Sequence, residues 1–159
     1  MIISITGHRP PAVGGYKLPN PIYNKVCKEL EKVFIELNPD KIIVGGSLGV
    51  DQWAAMIAYK LKIYTILAIP FEGQEKMWPE ESQKTYRLLR KLASEEVIVS
   101  PGGYSADNMQ VRNCWMVDHS DKLIAIWNGD TIKSGTFKCI NYAKSVNKDI
   151  FYIDPRLDR

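Results

Sequence analysis

The chain has 159 residues, 45% of them hydrophobic and 25% charged, with a formal net charge of +3. That length fills one domain able to bury a core without metals or disulfides, and no apolar run is long enough for a bilayer, so no membrane partner is expected. The weak, evenly spread positive charge argues against a nucleic-acid-binding face. The three cysteines (Cys27, Cys114, Cys139) lack disulfide or zinc spacing, and the start MIISITGHRPP lacks a signal-peptide pattern, so reduced thiols and a cytoplasmic location are expected.

In chain order, MIISIT at 1–6 is a short β-branched apolar run, a predicted strand ended by Gly7. The loop behind it opens with His8 and Arg9: a ring able to exchange a proton near neutral pH, and a planar fork of donors suited to a phosphate or carboxylate. A capped loop with a surface arginine and a backbone-bonded histidine is the alternative. NPIYNKVCKELEKVFIEL at 20–37 sets Ile22, Val26, Leu30, Val33, Phe34 and Leu37 at helical spacing. The strand KIIV then runs into GGSLGVDQWAA, where Gly45, Gly46, Ser47 and Gly49 crowd a strand-to-helix junction with Asp51 in the first helical turn. Glycines let an anion approach the backbone, and a helix N-terminus supplies free N–H groups, so this stretch reads as a phosphate cradle. It matches neither the Walker A nor the dinucleotide spacing, and a plain turn is the alternative.

The strand IYTILAIP delivers Phe71, Glu72, Gln74 and Trp78 into a loop at the same edge. They form either an aromatic surface for a base with an acid for a ribose hydroxyl or a proton, or a loop packed on its own domain. A helix at PEESQKTYRLLRKLA, a strand at EEVIVS and the loop SPGGYSADN follow. The helix ADNMQVRNCWMVDHS carries Arg112 and Asn113 among Met109, Trp115 and Met116, whose spacing also suits core packing. It ends in Asp118, His119 and Asp121, read as a helix cap and turn. The strand KLIAIW ends at Trp127, Asn128 and Gly129. Ser134, Gly135 and Thr136 then start the helix GTFKCINYAKSV with a second set of N–H and hydroxyl donors, before the last strand DIFYID.

This alternation, with strands that read as continuous apolar runs, predicts an α/β protein: one domain over 1–159 with a doubly wound, mostly parallel sheet and helices on both faces. Open sheets of that kind bind ligands outside the carboxyl ends of their strands, where these clusters fall.

Taken together, TGHRP, GGSLGVDQWAA, PFEGQEKMWPEESQKTYRLL, NMQVRNCWMVDHSDKLIAIWNG and SGTFKCINYA resemble the SLOG superfamily, a Rossmann-like group that includes the Smf/DprA and LOG proteins. The resemblance is specifically to its small stand-alone YpsA-like branch, and it covers nearly the whole chain. The resemblance implies a ligand of nucleotide or NAD-related type bound across the strand ends. Gly45, Gly46, Ser47 and Gly49 would line its phosphate with Asp51 behind them, and Gly135 and Thr136 would face them, with Arg9 nearby. LOG-type enzymes release a base from a nucleoside monophosphate and carry P-G-G-x-G-T-x-x-E. Here the corresponding stretch is IKSGTFKC, with Ser134-Gly135 for the double glycine and Cys139 at the acid position.

The expected function is therefore binding of a phosphate-bearing nucleotide or NAD-derived molecule, as a sensor or sequestering protein that needs no cofactor. The expected contacts are Gly7, His8, Arg9, Gly45, Gly46, Ser47, Gly49, Asp51, Phe71, Glu72, Arg112, Asn128, Gly129, Ser134, Gly135 and Thr136. The alternative is a nucleotide N-glycosidase or related transferase in which Glu72 or Asp107 substitutes for the missing acid. Apolar helix faces leave room for a homodimer.

Overall fold

The computed structural model describes residues 1–132 and 134–158. Side chains of a strand alternate between the two faces of its sheet, and here the alternation divides the core in two. The strands are β1 (Ile2–Gly7), β2 (Lys41–Val44), β3 (Tyr64–Ile69), β4 (Glu95–Ile98), β5 (Lys122–Ile126) and β6 (Asp149–Ile153). They lie in the order β4-β3-β2-β1-β5-β6, and every pairing is parallel.

Ile3 and Ile5, Ile42 and Val44, Leu67 and Ile69, and Ile124 and Ile126 belong to one face. There they pack with Val26, Leu30 and Phe34 of α1 (Pro21–Leu37), Ala54 and Ala58 of α2 (Val50–Lys60) and Leu89 of α3 (Glu80–Leu92). The alternate positions Ile43, Ile66 and Ala68 meet Met116 of α4 (Ala106–Asp118), and Leu123 meets Val117 of α4 with Cys139 and Ala143 of α5 (Gly135–Ser145). Each fully buried aliphatic side chain of this kind contributes about 1.5–3 kcal/mol of transfer free energy.

Local chemistry sets the helix ends. Asn20 caps α1 by accepting from the Tyr23 N–H (2.9 Å), Pro21 takes the first helical position, and Asn38 closes the helix in the left-handed region (φ 46°). At the end of α4, His119 Nδ1 lies 2.7 Å from the Trp115 carbonyl and its ring stacks on Trp115. Asp121 accepts from the Ile2 N–H (2.7 Å), so these residues form the expected cap and turn.

β1 pairs with β2 on one side and β5 on the other. Strands β1 to β4 step one way across the sheet, and β5 and β6 step the other. The connections leaving β1 and β5 therefore diverge, and a crevice opens at their carboxyl ends.

Candidate functional site

That crevice is a cleft of about 370 Å³. The end of β1 contributes Thr6, Gly7, His8 and Arg9, the β2–α2 turn Ser47 and Asp51, and α4 Met109, Arg112 and Asn113. The β5–α5 connection adds Asp130, Ser134, Gly135 and Thr136. Four sequence clusters far apart in the chain thus meet at one switch point.

Arg112 is 4% exposed and lies at the floor of the cleft. Its Nη1 donates to the carbonyls of Gly45 (2.7 Å) and Ala68 (3.2 Å), its Nη2 to Ser47 Oγ (3.2 Å) and its Nε to Asn113 Oδ1 (3.2 Å). These bonds tie α4 to the ends of β2 and β3. Asp51 is buried close by, and its Oδ2 accepts from the Ser47 N–H (3.3 Å). Burial pushes the Asp51 carboxyl up to about 6 against the pull of Arg112, and burial likewise lowers the pKa of Arg112 against the pull of Asp51.

This packing explains the glycines. A Cβ on Gly45 would stand 2.5 Å from Arg112 Nη1 and 2.8 Å from Asp51 Oδ2. On Gly49, which has φ 93°, it would stand 2.5 Å from the His8 carbonyl oxygen. Gly45 and Gly46 line neither this cleft nor the one beside it; Ser47 and Asp51 come to the surface of the cleft in their place. Gly7 does line it, with its own Cβ position filled by Val50. Gly135 differs, because a Cβ there meets no atom within 4 Å.

His8 is buried, and its Nε2 accepts from the Asn128 N–H (3.1 Å), which leaves the ring proton on Nδ1. Burial holds its pKa below the ordinary value, with the Asn128 bond opposing. His8 thus fastens the end of β1 to the turn after β5. Asn128 Oδ1 accepts from the Asp130 N–H (3.0 Å) and Gly129 has φ 86°, so both residues shape the turn that carries Asp130 and lie off the cleft lining.

A second cleft of about 580 Å³ adjoins the first, and Arg9 and Met109 line both. Its walls are Tyr16, Phe71, Trp78 and Tyr104, with Met77 and the polar Glu72, Gln74 and Lys76. Phe71 and Glu72 therefore stand apart from the polar cleft. The Glu72 carboxylate is engaged by Arg90 Nη1 (2.5 Å), and Arg90 also holds Glu96 (2.8 Å), so α3 fixes this acid. Asp107, expected as a substitute acid, is exposed in the first turn of α4 and lines neither cleft.

With the geometry in view, the model of the YspA SLOG family (YpsA) matches residues 3–157. The chain belongs to this SLOG family. Among its relatives, the SPbeta prophage-derived protein YoqJ of Bacillus subtilis strain 168 is 34% identical over 137 residues, 76% of this chain and 79% of that protein. A UPF0398 protein of Bacillus cereus strain B4264 is 28% identical over 148 residues, 87% of this chain and 79% of its own length. In fold, this YpsA-family chain resembles DNA processing protein A (DprA) of Streptococcus pneumoniae, with a TM-score of 0.68 and 20% identity. The match covers 98% of this chain and only 50% of that one. DprA of Helicobacter pylori gives a TM-score of 0.65 at 22% identity, covering 100% of this chain and 67% of its own. The Rossmann-like SLOG fold expected from the sequence is the fold observed.

Several lining residues escaped the sequence reading. Asp130 follows the Asn-Gly turn signal directly, and Tyr104 sits in the glycine-rich SPGGYSAD loop after a strand. Both positions carry a local signal, yet only the fold brings them to a cleft.

Proposed function

We propose that the chain binds a phosphate-bearing nucleotide or NAD-derived small molecule at the carboxyl ends of β1, β2 and β5, as a sensor or sequestering protein. The observation that carries this reading is that the N-terminus of α5 and Arg9 line the same polar cleft. Ser134 Oγ accepts from the Phe137 N–H (3.1 Å), so the N–H groups of Gly135 and Thr136 remain for a ligand. The Arg9 side chain makes no hydrogen bond or ion pair among the described residues. Asp51 and Asp130 beside these donors supply acceptors for hydroxyl groups, so the lining suits a sugar phosphate better than a bare anion.

A LOG-type hydrolase is the weaker reading. Cys139 stands at the acid position of that motif, buried, with its thiol pushed up to about 12 chiefly by burial. Glu72 is held by Arg90, and Asp107 is remote from the cleft. The Helicobacter pylori relative in fold is described by its single-stranded DNA binding mode. A small nucleotide is favoured over a strand here because Asp51, Asp130 and Glu72 interrupt the basic groups along the sheet edge.

Calorimetric titration with mononucleotides and NAD derivatives tests the reading. Gly135→Asp puts an acid at the α5 N-terminus, where a side chain meets nothing; affinity is expected to fall by about tenfold or more with Tm not lowered. No binding at millimolar ligand, or unchanged affinity in the variant, overturns the proposal. Salt-dependent retention of a single-stranded oligonucleotide without mononucleotide binding transfers the site to nucleic acid.

A further inference from the structure

The aromatic cleft has no part in the phosphate reading, yet its construction is specific. Tyr16, Met77 and Tyr104 stand around its opening at 59%, 94% and 78% exposure, so three large apolar side chains are left in water at one rim. Tyr104 meets the buried Phe71 nearly perpendicularly (84°, centroids 6.1 Å apart), which leaves a face of the Tyr104 ring unstacked. Trp78 is set in the same edge-on manner against Tyr86 (79°, 5.3 Å).

Gln74 is the second observation. It lines this cleft at 9% exposure, and its Nε2 donates to the Gly45 carbonyl (3.2 Å) and to Tyr86 Oη (3.0 Å). Its Oε1 is the buried side-chain polar atom without a partner among the described residues. With both amide protons committed, that oxygen can only accept, from an N–H or O–H donor. Glu72, the carboxylate of the cleft, is already engaged by Arg90.

We propose that the aromatic cleft is a base subsite for a planar heterocycle bearing an amino group, so that one nucleotide lies across both clefts with Arg9 at its phosphate. The inference rests on the polar cleft being the sugar-phosphate site. The ring stacks on Tyr104 and Trp78, its amino group donates to Gln74 Oε1, and its sugar passes Arg9 and Met109, which line both clefts. The Gly45 carbonyl accepts from both Gln74 and Arg112, so the base subsite and the floor of the polar cleft share one anchor.

Titrating the full chain with AMP, GMP, purine riboside monophosphate (which lacks the amino group), adenosine and ribose 5-phosphate separates the subsites. The better of AMP and GMP is expected to bind about tenfold or more tighter than ribose 5-phosphate, and about tenfold tighter than purine riboside monophosphate. Tyr104→Ala, at an exposed position, is expected to reduce the ratio of nucleotide to ribose 5-phosphate affinity about tenfold. Ribose 5-phosphate binding as tightly as both nucleotides overturns the base subsite and leaves the polar cleft standing. Adenosine binding without ribose 5-phosphate supports the base subsite and overturns the polar-cleft reading. Equal affinity for amino-bearing and amino-free purines overturns the role of Gln74, and no binding by any probe overturns both proposals.

Discussion

Gly45 has no room for a side chain, because the Arg112 guanidinium and the Asp51 carboxylate occupy the space where a Cβ would stand. Gly45→Ala is expected to destabilise the fold by about 1–3 kcal/mol through displacement of Arg112, measured by urea unfolding. Asp51 makes stability depend on pH. Its carboxyl ordinarily titrates at 3.8 and here at about 6, so between those values the folded chain holds a proton that the unfolded chain releases. Stability from this group therefore falls as pH rises through that window. His8 acts in the opposite sense: its pKa lies below the ordinary 6.5, so its protonation costs stability as pH falls through that region. Asp51→Asn is expected to remove the fall in stability with rising pH between pH 4 and 6 and to leave the loss on acidification set by His8; urea midpoints across pH read this directly, and a pH profile unchanged by the substitution would contradict the assignment. The residue types at this site were legible in the sequence, but the burial of Arg112 was not. Its neighbours Met109, Trp115 and Met116 suggested a helix with an apolar stripe, whereas the inward face of α4 combines Met116 and Val117 with a hydrogen-bonded arginine.

Elements were the most legible level. The strands are short apolar runs between turn signals, and the α1 stripe of Val26, Leu30, Val33 and Phe34 repeats at helical spacing between an asparagine cap and a left-handed asparagine. Asn20→Ala is expected to cost about 1 kcal/mol, seen as a lower thermal midpoint, because the Tyr23 N–H loses its acceptor. The connections were less legible than the elements they join. GGSLGVD reads as a place where an anion approaches the backbone, yet Gly45 and Gly49 are occupied in letting Arg112 and the end of β1 pack closely. The cleft presents Ser47 and Asp51 from that turn and the open end of α5 from another.

For the whole molecule, the strand order decides where chemistry is possible. β1, β2 and β5 lie inside the sheet with Ile3, Ile5, Ile42, Val44, Ile124 and Ile126 fully buried, while β4 and β6 form its edges. Hydrogen exchange is expected to be slowest in β1, β2 and β5 and faster in β4 and β6, where Glu95, Glu96, Phe151 and Tyr152 are exposed. Comparable protection in the edge strands would indicate that a further chain covers them. The slow strands also carry the polar cleft at their carboxyl ends, so its walls are anchored in the most stable part of the fold.

The sequence by itself determined the alternation of strands and helices, the parallel α/β class and the family, because hydrophobic period, turn residues and motif order are local properties that survive without coordinates. Only the tertiary structure decided which of the strand-end residues share a cleft. Strand order brings Arg9 and Gly135 to one cleft, carries Arg112 to the ends of β2 and β3, and draws Glu72 to Arg90 and away from the polar cleft. Such placements depend on contacts between residues far apart in the chain, and a polar side chain looks the same in sequence whether it is buried, paired or free for a ligand.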